Sequence, residues 1–303
     1  MPEPLTVDEL TECLVQRSYL PDRGLATVLT VALNLRKPLL LEGEPGVGKT
    51  EVAKAVADVL GARLLRLQCY EGIDVSHALY DWNYARQMLY IRTLEAGQAA
   101  GPEALDELFS RDFLIRRPLL EAIEHADPIP PVLLIDEIDR ADDEFEAFLL
   151  ELLADFQVTI PELGPIRARR RPVVIVTSNR TRELHDALKR RCLYHWIDHP
   201  APERELEIIR ARLPDIADRL AEQVVQFIAR IRELPLVKTP GIAETLDWVE
   251  ALSSMGVDEL DTDVVNGTLG AILKYREDLE RVHARGVDDV VAEAARRQAG
   301  TAA

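Results

Sequence analysis

Gly43-Glu44-Pro45-Gly46-Val47-Gly48-Lys49-Thr50 is the stretch whose reading decides the fold. It fits G-x-x-x-x-G-K-[ST], and its flanks supply the context that pattern requires. Before it, Pro38-Leu39-Leu40-Leu41-Glu42 is a short apolar run that reads as a buried parallel strand. After it, Thr50 to Leu60 carries Val52, Val56, Val59 and Leu60 with no Gly or Pro inside, which reads as a helix. Glycines let backbone N–H groups turn inward around phosphate oxygens, and the helix start adds free N–H groups and its dipole. The expected nucleotide-binding segment is Gly43, Glu44, Pro45, Gly46, Val47, Gly48, Lys49, Thr50 and Glu51. Lys49 is placed to reach the β and γ phosphates of ATP, and the Thr50 hydroxyl to ligand Mg²⁺.

The chain has 303 residues, enough for one medium domain and a smaller one. Its 53 acidic against 36 basic residues give a net charge of -17, which repels a phosphate backbone at long range and points to protein partners. Three cysteines without a CxxC suggest neither a disulfide framework nor a zinc site, and a reducing cytoplasm is expected. No apolar run approaches the roughly 20 residues of a membrane helix, and the start Met1-Pro2-Glu3-Pro4 is acidic where a signal peptide is basic.

Pro131-Val132-Leu133-Leu134-Ile135-Asp136-Glu137 is an apolar run ending in two carboxylates. Polar residues at the C-terminal ends of parallel strands face the ligand crevice. Asp136 is therefore expected in the Mg²⁺ shell with Thr50, and Glu137 as the group that orients and deprotonates the attacking water. A third strand, Val173-Val174-Ile175-Val176-Thr177, ends in Ser178-Asn179. The Asn179 amide could sense the γ phosphate or the water without charge; taken alone it more commonly reads as a turn residue. Downstream, Ala187-Leu188-Lys189-Arg190-Arg191-Cys192 puts two arginines at a short helix end. They read either as a solvated basic end or as an arginine finger offered to a neighbouring subunit.

In this order, the glycine loop, Asp136-Glu137, Asn179 and Arg191 resemble the AAA+ ATPases. Asp136-Glu137-Ile138-Asp139-Arg140-Ala141, the helix bearing Phe145, Phe148, Leu149, Leu152 and Leu153, and Gln157-Val158-Thr159-Ile160 resemble the MoxR branch. Cys69-Tyr70-Glu71-Gly72-Ile73-Asp74 and Ala243-Glu244-Thr245-Leu246-Asp247-Trp248 look like the CoxD-like members encoded beside carbon monoxide dehydrogenase genes. The resemblance implies an ATP hydrolase working with Mg²⁺ as a ring, usually a homohexamer. It also implies remodelling or maturation of a protein client, such as metal-cofactor assembly of a molybdenum hydroxylase, with a von Willebrand factor A domain adaptor. Arg191-Cys192 looks like the finger of clamp-loader relatives. The chain departs from the family at Gly241, where many lids carry a sensor-2 arginine; Lys238 is the nearby cation. A nucleotide-switched scaffold with little turnover and a nucleic-acid motor are the alternatives, the second disfavoured by the acidic charge.

The expected fold class is α/β: a P-loop NTPase core of AAA+ type with a parallel sheet and helices on both faces, then a small all-helical lid. The expected core spans 1–200, with hairpin inserts near 70–92 and 157–171, the lid 201–284, and a frayed tail 285–303. Tyr70, Tyr80, Trp82, Tyr84 and Tyr90 crowd the first insert, read either as a self-packed hairpin or as a client-facing surface, with Trp82 and Tyr84 as contacts. Arg167, Arg169, Arg170 and Arg171 end the second, read as a solvated edge or a contact for an acidic client or nucleic acid. The segment 101–111 reads as charged and helix-prone. His195 and His199 share a strand face about 13 Å apart, too far for one metal ion.

Overall fold

The computed structural model describes residues 4–96 and 107–300. Two compact units divide the chain. The first holds Met1–Arg17, Pro21–Glu42 and Thr50–Trp196, and the second Ser18–Leu20, Gly43–Lys49 and Ile197–Ala303.

The first unit opens with α1 (Val7–Val15) and α2 (Arg23–Leu35), N-capped by Thr6 and Asp22. In chain order there follow β1 (Leu39–Gly43), α3 (Lys49–Leu60), β2 (Leu64–Gln68), α4 (Val75–Ala78), β3 (Tyr80–Trp82) and α5 (Tyr84–Ala96). Then come β4 (Leu114–Arg116), α6 (Pro118–Ile123), β5 (Val132–Asp136), α7 (Asp143–Asp155), β6 (Gln157–Ile160) and β7 (Gly164–Arg167). β8 (Val173–Ser178), α8 (Asp186–Lys189) and β9 (Leu193–Ile197) complete the run. The sheet has the order β2-β5-β8-β1-β9, with β2, β5, β8 and β1 paired in parallel. Every residue of β1 and β5 is buried, which requires cover on both faces and explains their unbroken apolar runs. Burying each such Leu, Val or Ile contributes about 1.5–3 kcal/mol. β8 lies between β1 and β5, so the strand that enters the glycine loop and the strand that ends in Asp136 flank the strand that leads to Asn179.

The expected hairpin over 70–92 is not formed. That stretch is helix, strand and helix, and β3 pairs antiparallel with β4, from Tyr80 opposite Arg116 to Trp82 opposite Leu114. Trp82 is only 7% exposed, edge-on to Phe109 at 5.3 Å and Tyr80 at 6.0 Å. Trp82 belongs to the core, with Tyr80 packed partly buried against it and Phe109 left exposed, so Trp82 is not available as a client contact, whereas Tyr84 is exposed. β6 and β7 form an antiparallel hairpin, Gln157 opposite Arg167. Of the segment 101–111, residues 101–106 lie outside the described residues.

In the second unit the helices are α9 (Pro202–Arg212), α10 (Asp218–Arg232), α11 (Ile242–Ser254), α12 (Thr262–Thr268), α13 (Arg276–Arg285) and α14 (Val287–Gly300). Their core includes Phe227 and Trp248, with rings 5.4 Å apart. The tail expected to fray is helical through Gly300, because Val287, Val290 and Ala294 recur on one face and pack into that core. Among the described residues no helix is long and apolar enough to cross a membrane.

Candidate nucleotide and metal site

At the C-terminal end of β5, Asp136 is 2% exposed and fully engaged. Its Oδ1 accepts from the Thr50 hydroxyl at 3.1 Å and the Thr177 hydroxyl at 2.5 Å. Its Oδ2 accepts from Arg66 Nε at 2.9 Å and Arg66 NH2 at 2.6 Å. The next residue, Glu137, adopts the left-handed conformation at φ 54, which costs a non-glycine residue about 1–3 kcal/mol and persists where neighbours hold it. Thr177 does so by accepting the Glu137 N–H at 2.9 Å. The Glu137 carboxylate is fixed from three sides, by Asn179 Nδ2 at 3.3 Å, Gln68 Nε2 at 3.2 Å and Arg140 Nε at 2.8 Å.

Asn179 owes its place to Asp139. That buried carboxylate accepts the backbone N–H groups of Asn179 at 3.1 Å and Thr181 at 2.8 Å, and the Thr181 hydroxyl at 2.7 Å. Glu146, fully buried on α7, accepts the His185 N–H at 3.0 Å and pairs with Arg182, fixing the chain that enters α8. Arg190 and Arg191 follow that helix. Both are exposed, and Arg191 NH1 donates to the Ala187 carbonyl at 3.0 Å. Around Asp139 and Arg182 lies a cavity of about 810 Å³ whose lining includes Glu71, Asp142, Asp143 and Glu144 against Arg140 and Arg182, an acid surplus. Buried Cys69 donates its N–H to the Asp136 carbonyl at 2.8 Å, and burial, aided by the Asp136 charge, pushes its thiol up to about 12, so it stays neutral.

The glycine loop belongs to the second unit and is held by backbone. Gly46 and Gly48 take φ 85 and 95, values that other L-residues rarely adopt, and so turn the chain as the motif requires. Lys49, 6% exposed, donates to the carbonyls of Gly43 at 2.8 Å and Glu44 at 2.7 Å. The N-terminus of α11 sits directly on the loop: Ala243 N–H donates to the Gly46 carbonyl at 3.1 Å. A Cβ at Gly241 would lie 2.7 Å from the Gly46 carbonyl carbon and oxygen, so nothing larger than glycine fits. Lys238 does not take the place of the absent arginine on the loop; its Nζ is paired with Glu244 at 3.4 Å. Glu44 is tied to His199 Nε2 at 3.2 Å and the Thr239 hydroxyl at 3.0 Å, and these hydrogen bonds, His199 first, hold its carboxyl below its ordinary value.

The α11 terminus is aimed by a buried ion pair absent from the sequence reading. Glu205, fully buried, takes Arg232 in a two-pronged pair at 2.6 and 3.0 Å and also accepts the Thr245 hydroxyl at 2.7 Å. Arg232 Nε donates to the Pro240 carbonyl at 2.8 Å, fixing the residue before Gly241.

The structure thus brings Thr50, Asp136, Glu137 and Asn179 into one network and leaves Arg190 and Arg191 outside it. Glu51 turns to Lys54, at 2.5 Å. Sequence reasoning missed Arg66, Gln68, Thr177 and Asp139 as supports. Gln68 lies opposite Asp136 at the end of the neighbouring strand, and a polar residue closing a strand was the available signal. The hydroxyl of Thr50 beside the Asp136 carboxylate is the hard-oxygen donor set that Mg²⁺ takes.

Sheet order, glycine loop and paired carboxylates together define a P-loop nucleotide-binding protein. Residues 38–192 match the family described as AAA domain, dynein-related subfamily, and the chain belongs to it. P-loop ATPases of this kind generally bind ATP with Mg²⁺ and oligomerise. The chain is 44% identical to midasin of Giardia intestinalis over 48 residues, 16% of this chain and 1% of midasin, so it spans a small fraction of that relative. It is 24% identical over 247 residues to the uncharacterized protein SH1500 of Staphylococcus haemolyticus, covering 79% of this chain and 84% of that one. Among solved structures, a RuvB mutant of Thermotoga maritima is similar with a TM-score of 0.49 at 20% identity, covering 89% of this chain and 75% of that chain.

Proposed function

We propose that this chain is a MoxR-type AAA+ ATPase that hydrolyses Mg-ATP in a homohexameric ring to remodel or mature a protein client. A von Willebrand factor A domain adaptor, metal-cofactor assembly of a molybdenum hydroxylase and a cytoplasmic setting belong to the same reading, on the resemblance of the motif run Asp136–Ala141 and the segments 69–74 and 243–248. The observation that carries the chemistry is the shared network of Thr50, Asp136, Glu137 and Asn179.

In this reading Gly43 to Glu51 bind the nucleotide, with Lys49 on the β and γ phosphates, and Thr50 with Asp136 would hold the Mg²⁺, which supplies charge neutralisation for the leaving phosphates. Glu137 takes the proton of the attacking water as its oxygen bonds to the γ phosphorus and the bond to ADP breaks; Asn179 orients that water. Arg191, with Arg190 beside it, would serve a neighbouring subunit's γ phosphate, a role supported by the exposure of both. A second reading, a nucleotide-switched scaffold with little turnover, is favoured by one observation: Gln68 and Arg140 restrain the Glu137 carboxylate.

Subunit mixing tests the shared site. Arg191→Ala and Lys49→Ala proteins should each be inactive, the first losing on the order of 10³-fold in rate, and mixtures should regain activity at interfaces pairing an intact Lys49 with an intact Arg191. Normal turnover by Arg191→Ala alone would place the finger elsewhere.

A further inference from the structure

At the opposite end of the strands, where β1 and β8 begin, lies a pocket of about 350 Å³ lined by Arg36, Arg167, Arg169, Arg170 and Arg171, with Asp155 as its one acidic side chain. Arg36 precedes the start of β1, and Arg171 the start of β8. Asp136 stands at the opposite, C-terminal end of β5. A five-residue strand spans roughly 16 Å, so this pocket is separate from the carboxylate end.

The pocket is built rather than incidental. α2 and α7 both end in it, and their C-caps, Arg36 and Phe156, are left-handed at φ 52. Ala168 N–H donates to the Phe156 carbonyl at 2.9 Å, and His125 Nε2 donates to the Arg170 carbonyl at 3.0 Å, so the arginine-bearing strand end is anchored. Arg171 lies over the Phe156 ring at 5.0 Å, and the Arg170 guanidinium is spent on the Pro128 carbonyl. Helix C-termini attract a cation or two. Arg36, Arg167 and Arg169 exceed that need, and none of them pairs with a carboxylate among the described residues.

We infer that this pocket is a docking site for an acidic segment of a partner protein, held through its carboxylate side chains. The guanidiniums of Arg36, Arg167 and Arg169, with no lysine in the lining, favour planar, two-pronged oxyanion recognition. The pocket is a half-open concavity of about 350 Å³, sized for a few carboxylates rather than for a long tracking backbone. Single-stranded nucleic acid needs free rings for base stacking, and the one ring here is already covered by Arg171. The net charge of -17 adds a repulsion that grows with the length of a bound polyanion, which a short acidic segment largely escapes.

The test uses the full chain at low salt, with a labelled oligoglutamate peptide and an oligothymidylate of equal charge, read by fluorescence anisotropy. The peptide should bind the wild type at least about tenfold more tightly than the Arg167→Glu/Arg169→Glu double variant, and Arg167→Lys/Arg169→Lys should fall between them. Mg-ATP affinity should stay within about twofold in all three, since neither arginine belongs to the nucleotide network. Should the double variant melt early, Arg36→Glu alone decides the matter by the same loss of peptide binding. Absent or unchanged peptide binding overturns the inference. So does tighter oligothymidylate binding that the variants abolish, which would make the pocket a nucleic-acid contact.

Discussion

At the carboxylate end of the sheet the Asp136 and Glu137 carboxylates are held by other side chains, whereas the glycine loop meets α11 backbone on backbone. Asp136 and Glu137 are oriented by Thr50, Arg66, Thr177, Gln68, Arg140 and Asn179. The loop is instead gripped through Gly46 and Gly241, with a main-chain bond from Ala243. The difference predicts opposite sensitivities. The first region should suffer when a side chain is removed, and the second when one is added.

The strongest way to break this comparison is to restore the family's arginine. Gly241 has φ -83, open to any residue, so the demand for glycine there is one of space alone. Gly241→Arg should therefore unseat α11 from the loop, costing about 1–3 kcal/mol of overpacking or the equivalent in nucleotide affinity. Thermal melting and Mg-ATP titration would read it. An unimpaired or tighter-binding Gly241→Arg protein would mean that the lid reads the phosphate through a side chain after all.

A smaller effect is expected from removing a support rather than a reacting group. Asp139→Ala frees the backbone of Asn179 and Thr181, so turnover should fall about 10–100-fold while Mg-ATP affinity changes little, because the change lies behind the catalytic groups rather than in the loop. Equal losses in affinity and turnover would show that the two regions are not separable in this way.

The smallest effect concerns pH. Glu44 is depressed by accepting from His199 and then Thr239, so its contribution is present above its ordinary value of 4.5 and is lost as pH falls through the lowered folded value. Glu44→Gln should flatten that acid limb of the melting temperature by bringing neutral stability slightly down toward the acid value, a small change because the Glu44 side chain is largely exposed. A Glu44→Gln limb as steep as that of the wild type would assign the acid loss to another carboxylate.

The carboxylate end was legible because strand, motif and helix follow one another in the chain, so local pattern placed Thr50, Asp136 and Glu137 at strand and helix ends. Their supports were not legible, because Arg66, Gln68 and Thr177 arrive from neighbouring strands whose order the sequence does not state. The aromatic stretch misled for a similar reason. Trp82 is buried by Phe109 and by pairing with β4, more than 25 residues away in sequence, as the Trp82–Leu114 register shows. In the second unit, Glu205, Arg232 and Thr245 sit on three different helices, and their meeting depends on helix packing alone. The tail carried its own signal in Val287, Val290 and Ala294, which recur at helical spacing and pack into the second unit's core.

Glu137→Gln tests the central claim most directly, in an experiment that measures Mg-ATP binding and steady-state phosphate release on the same purified protein. The amide keeps the shape and the hydrogen-bonding reach of the carboxylate but cannot take a proton from water. The account predicts affinity within a few-fold of wild type and turnover lowered about 10²–10⁴-fold. Phosphate release near the wild-type rate would contradict it.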